Sequence, residues 1–253
     1  PWTVRVGSVV LTGNRAEYGL LNHRPAAGFD PSFIALSTLD LAVDSIYNRG
    51  ADIALQIRRM AFTERSGLTV SDMTGDIGMD ASGISLAGVT LKTPFSRIEA
   101  NISAGEGILA LAPDSPLKAA LTADVNTKDL KYLYPALIPP VLDGRIVSLA
   151  LTAAGTLGDI GKAGLDISSP GHVAFTADGA ARNVLDPGRM EASARFEGDF
   201  RDMAFLEPLL PDSALRRRIA IPDRIRLHGT AGADKGAFSA ASTLSADGGE
   251  IAL

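Results

Sequence analysis

Residues 83–102 read GISLAGVTLKTPFSRIEANI, and their apolar positions come in short bursts: Ile84 and Leu86, Val89 and Leu91, then Ile98, Ala100 and Ile102. A two-residue period places alternate side chains on opposite faces of a strand, so each burst predicts a strand with one apolar face. The fold turns on what covers that face. The flanking sequence supplies few helical stretches and few large rings from which to build a second layer.

Composition narrows the choice. The chain has 253 residues, 46% of them hydrophobic, which is too apolar for a disordered segment. Aromatic residues make up only 6%, with a single tryptophan at Trp2, so the usual filler of a thick closed core is scarce. A net charge of -5 with both signs scattered argues against a nucleic-acid surface. Without cysteine there can be no disulfide, no thiolate metal site and no cysteine nucleophile. No apolar run has the length of a membrane-spanning helix, and the start carries no basic segment followed by an apolar signal region. The chain opens in alternation, Trp2, Val4 and Val6, and closes on Glu250-Ile251-Ala252-Leu253, so it is expected to be a piece of a longer protein.

Outward from residues 83–102 the same pattern continues. Ile53, Leu55 and Ile57 share one face with Asp52, Gln56 and Arg58 opposite, and Met73, Gly75, Ile77 and Met79 follow suit. Asn48-Arg49-Gly50, Ser66-Gly67, Ser82-Gly83 and Ala87-Gly88 read as tight reversals between strands of five to eight residues. Asn126-Thr127 then predicts a helix cap, followed by helical spacing through Lys128 to Tyr134 and a stop at Pro135. Strands resume from Ile146 to Ala153, at Leu157, at Leu165 with Ile167, and at Val173 with Phe175. Asp202 to Leu210 repeats the Asp129 to Leu137 pattern, and Gly155-Thr156-Leu157-Gly158 returns as Gly229-Thr230-Ala231-Gly232. Such a repeat favours a stacked, elongated all-β architecture: a curved antiparallel groove with one short helix per repeat. Residues 1–125 are expected to form a β-meander, 126–200 a helix-plus-strands repeat, and 201–253 a second, truncated copy.

Taken alone, without the repeat, the alternation fits the closed core of a sandwich better than an open groove. A parallel β-helix fits less well, because its shorter recurrence and polar ladders are missing. Residues 28–36, 43–48, 64–68 and 91–96, together with the helix, proline and Gly-Thr-x-Gly order, resemble the AsmA/TamB superfamily, in particular its TamB-like members. That resemblance implies a periplasmic body of a Gram-negative envelope protein, anchored in the inner membrane in the full-length molecule, with a hydrophobic β-groove (a β-taco) that carries phospholipid acyl chains between the membranes. It also implies an alternative role as a scaffold or chaperone in outer-membrane protein assembly, with a BamA-like barrel partner engaged through regions outside this chain. It implies no catalytic residue and no cofactor.

On this reading the acyl chains run along Ile53, Leu55, Ile57, Ile77, Ile84, Leu86, Val89, Leu91, Ile98 and Ile102, and along Leu149, Leu151, Val173 and Phe175. Gly75, Ala54 and Ala100 are candidates for setting its width. A one-residue slip would invert the assignment of faces. Arg216, Arg217 and Arg218, near Arg224 and Arg226, could meet phosphate head groups, although charge runs commonly just face water. His23, His172 and His228 have no metal-ligand spacing. Asp143-Gly144, Asp178-Gly179 and Asp247-Gly248 read as turns rather than catalytic acids. Gly105-Glu106-Gly107 lacks the rest of a dinucleotide fingerprint, and no phosphate loop occurs. No metal, no cofactor and no enzymatic activity are expected; a hydrolase would lack its nucleophile. Edge strands at Trp2 to Val6 and Ile251 to Leu253 would serve the scaffold alternative by strand addition.

Overall fold

The computed structural model describes all residues except Pro1, 21–23, Ala27, 106–111, 135–137, 210–220 and Leu253. It is all-β and antiparallel, and strand order follows chain order. The strands are β1 (Thr3–Gly19), β2 (Phe33–Arg49), β3 (Asp52–Glu64), β4 (Thr69–Asp80), β5 (Gly83–Lys92), β6 (Arg97–Gly105) and β7 (Pro116–Asn126). After the helix α1 (Thr127–Leu133) come β8 (Ile146–Thr156), β9 (Ile160–Ser169), β10 (Val173–Arg182), β11 (Glu191–Arg201), β12 (Arg224–Asp234), β13 (Ala237–Ala246) and β14 (Gly249–Ala252). Among the described residues no helix is long and apolar enough to cross a membrane.

The chain divides into two compact units, Pro1–Leu111 with Ala119–Arg145, and Ala112–Lys118 with Ile146–Leu253. Among the described residues neither contains a second sheet laid on the first. The described hydrophobic residues that are buried are few for a chain of this length: Leu39, Val43, Ile57, Val70, Ala123 and Ala233. A sandwich core would bury most of its inward residues, so the closed-core reading of the alternation does not hold.

Several local readings need correction. The strands are longer than expected, up to 17 residues in β1 and β2, because shifts of register let a strand continue past a break in the alternation, in β2 at Thr38 and Ser45, which take positive φ. Ala87-Gly88 is such a place: it lies inside β5, where Leu86 pairs with Ile102 and Val89 with Ala100, so β5 carries one residue more than β6. Gly88 takes φ +58, and its N–H donates to Asn101 Oδ1 at 2.8 Å, which satisfies the amide freed by the bulge. Asp178-Gly179 is likewise interior to β10. Leu157 lies in the turn after β8 and not in a strand. The two Gly-Thr-x-Gly copies play different parts, the first ending β8 and the second lying within β12. What does recur is element order: β7, helix and β8, then β11, a 3₁₀ segment (Met203–Leu209) and β12.

In the first unit, α1 forms where its sequence predicts. Asn126 caps it by accepting from the Lys128 N–H at 3.0 Å, and the chain leaves the helix at Tyr134, before Pro135. The helix is fixed to the rim formed by neighbouring turns. Asp129 Oδ2 accepts from the hydroxyls of Thr93 and Ser96 in the β5–β6 turn, each at 2.5 Å, and the Tyr132 ring packs against Gly67 in the β3–β4 turn. The Phe29 N–H donates to the Leu133 carbonyl at 3.3 Å. Arg65 Nη2 in turn donates to the carbonyls of Ala26 and Gly28. The segments 28–36, 64–68 and 91–96 are thus one structural corner around α1.

Candidate functional site

Register, not alternation alone, settles which side chains share a face. In the first unit Leu55 pairs with Ile77, Ile77 with Leu86, and Leu86 with Ile102. One step along, Ile53 pairs with Met79 and Met79 with Ile84. One step the other way, Ile57 pairs with Gly75, and Val89 with Ala100. Gly75 closes that row: a Cβ there would stand 2.8 Å from Val89 Cγ2. The last row runs from Met60 through Met73 and Leu91 to Ile98. All ten expected residues from Ile53 to Ile102 therefore lie on one face, all but Ile57 only half-buried. Of the residues expected to set width, Gly75 and Ala100 are on it. Ala54 is not: it follows Ile53 by one residue and projects from the other side.

The opposite face is polar and cross-linked between strands. Arg58 meets Asp44 at 3.1 Å, Lys92 meets Asp72 at 3.4 Å, and the Gln56 amide donates to Asp76 at 3.0 Å. Water therefore has a natural side of the sheet, and the apolar rows have the other.

The second unit repeats this division with a longer register. Leu149, Ile167, Phe175, Gly198, Leu227 and Leu244 follow one another from β8 to β13 as pairing partners. Leu151, Leu165, Ala177, Phe196 and Gly229 form the next row, and Ala153, Ala163, Gly179, Ala194, Ala231 and Ala240 the one after. Val173 pairs with Phe200 on the same side. The expected Leu149, Leu151, Val173 and Phe175 are therefore together. Burial along β10 and β11 alternates between exposed polar and half-buried apolar positions over most of each strand.

Side-chain size is graded across this face. Rings recline over glycines: a Cβ at Gly198 would meet the Phe200 ring of its own strand at 2.6 Å and Phe175 Cδ2 of β10 at 3.4 Å, and one at Gly229 would meet Phe196 Cζ of the adjacent strand at 2.8 Å. Phe175 and Phe196 stack with centroids 6.3 Å apart. Beyond them the alanine row floors a recess of about 480 Å³, lined from six strands and edged by Leu151, Ile160, Leu165, Met190 and Phe238. One cavity touched by β8 through β13 means that this face is concave. The size grading was missed in the sequence, although Ala192, Ala194 and Phe196 carry it at period two.

Polar groups gather at the strand ends. Asp199 accepts from Arg224 Nη2 at 2.5 Å and from Arg201 Nη2 at 2.7 Å, and these two guanidiniums hold its carboxyl well below the usual carboxylate range. His172 sits edge-on to Phe205 with centroids 5.0 Å apart, on the 3₁₀ segment. Arg216, Arg217, Arg218 and His23 lie outside the described residues. Among the described residues no group of three or more His, Cys, Asp or Glu side chains could hold a metal ion.

Compared with known proteins, the chain matches no family model, no curated protein and no solved structure.

Proposed function

We propose that this chain is a non-enzymatic lipid-binding β-groove that shields acyl chains along its apolar face. The observation that carries the reading is the uncovered face itself: apolar rows that run unbroken across successive strands, half-buried, with a polar and ion-paired reverse side. A contiguous apolar concavity costs free energy in water and ordinarily marks a binding surface. Each methylene withdrawn from water contributes about 0.8 kcal/mol. The row from Leu149 to Leu244 crosses six strands, a path of roughly 24 Å at about 4.8 Å per interval. That exceeds the roughly 15 Å depth of one leaflet of a bilayer's hydrocarbon core, so a whole tail fits along it. Because the rows named above consist of apolar side chains and glycines, a tail can slide along them while its head group stays in water.

Together with the resemblance of residues 28–36, 43–48, 64–68 and 91–96 to the AsmA/TamB superfamily, this supports phospholipid as the ligand and the Gram-negative periplasm as the setting. Inner-membrane anchoring and contact with a BamA-like barrel would belong to regions outside this chain.

The test is photocrosslinking in cells, with a benzophenone side chain placed at Ile77, Leu86, Leu165 or Phe175 and, for comparison, at Asp76, Ser85, Asp166 or Thr176. Lipid adducts are expected at the first four positions only. Equal labelling of both sets, or none at either, would overturn the groove.

A further inference from the structure

We draw no further inference here: the strongest candidate, the alanine-floored recess across β8–β13 of the second unit, belongs to the face already described, and nothing in the structure shows what other than an acyl chain would cover it.

Discussion

Asp129 Oδ2 accepts hydrogen bonds from both Thr93 Oγ1 and Ser96 Oγ at 2.5 Å, and Ser96 Oγ in turn accepts from the Asn126 backbone N–H at 2.9 Å. A buried carboxylate on a two-turn helix thereby ties α1 to a turn more than thirty residues earlier in the chain. An isolated helix of this length is unstable in water, so these bonds and its cap hold it in place. Replacing Asp129 with alanine leaves the buried Ser96 hydroxyl without this acceptor, at a cost of about 1–3 kcal/mol, while the Thr93 hydroxyl keeps the Ser96 carbonyl at 3.3 Å. Asp129→Asn keeps one acceptor oxygen and is expected to lose less. Urea unfolding checks both, and an Asp129→Ala protein as stable as the parent would remove α1 from the account of the first unit.

A charge on the apolar face should be far more costly to lipid binding than one behind it. Leu165 and Asp166 are adjacent in sequence and face opposite ways. The side chain introduced by Leu165→Glu would lie against the acyl chain, and a charge in hydrocarbon costs about 3 kcal/mol on insertion scales. Retained phospholipid is then expected to fall by roughly 100-fold. Asp166→Asn should leave it unchanged. Mass spectrometry of lipid extracted from the purified proteins, with circular dichroism to verify folding, makes the comparison. Similar losses in the two variants would refute the assignment of faces.

The recess offers a test by volume. Ala163 and Ala231 project into it from β9 and β12, so Ala163→Trp and Ala231→Trp would fill part of the space. Both are expected to fold, because the face has no opposing layer to clash with, and to displace lipid from the second unit. Adducts at Phe175 should drop while those at Ile77 in the first unit persist. Undiminished crosslinking at Phe175 would show that the recess lies off the lipid path.

The apolar face was legible in the sequence because period-two alternation is a property of the backbone, and the open architecture followed from the shortage of rings and helices. The α1 boundaries were legible for the same local reason, through Asn126 and Pro135. What alternation could not supply is where it breaks. Leu86 and Val89 are three residues apart and by simple parity face opposite ways; only a bulge with Gly88 at φ +58 returns Val89 to the face of Leu86. A glycine in a bulge and a glycine in a reversal look alike in sequence, since both need a backbone conformation that other residues avoid. Asp178-Gly179 misled similarly, its glycine being needed for close strand approach: a Cβ there would stand 2.5 Å from the Ser193 carbonyl oxygen.

Asp199 gives a pH dependence with a definite sign. Its carboxyl pKa is lowered in the folded protein by Arg224 and Arg201. The stabilisation is therefore complete above the ordinary carboxylate pKa of about 3.9 and is lost as pH falls through the lower folded value. Between pH 7 and pH 5 the β11–β12 pairing should show no change from this group. Carbon-13 carboxyl titration is expected to place Asp199 below the ordinary carboxylate value of about 3.9, and Arg224→Ala should raise its midpoint. An Asp199 midpoint at that ordinary value would mean that the two guanidiniums do not hold it in solution.

The bulge in β5 yields the sharpest check on the register. Between Leu86 and Val89 this strand has one residue more than β6 opposite it, where Ile102 and Ala100 are two apart. Its other neighbour, β4, agrees: Thr74 pairs with Thr90 and Asp76 with Ala87, again two residues against three. Deleting Gly88 would bring β5 to the same count as both partners, leaving Val89 opposite Ala100 and on the apolar face. The deletion should therefore fold and keep its lipid adducts at Val89 and Leu91. Gly88→Val retains the extra residue but forces a β-branched side chain into a left-handed backbone, at a cost of about 1–3 kcal/mol. Thermal unfolding should thus rank the deletion above the substitution, the reverse of what a tight reversal at Ala87-Gly88 would give, since removing a turn glycine there would break the hairpin. If the deletion unfolds while Gly88→Val is tolerated, the pairing of β5 is wrong and the faces from Val89 onward must be exchanged.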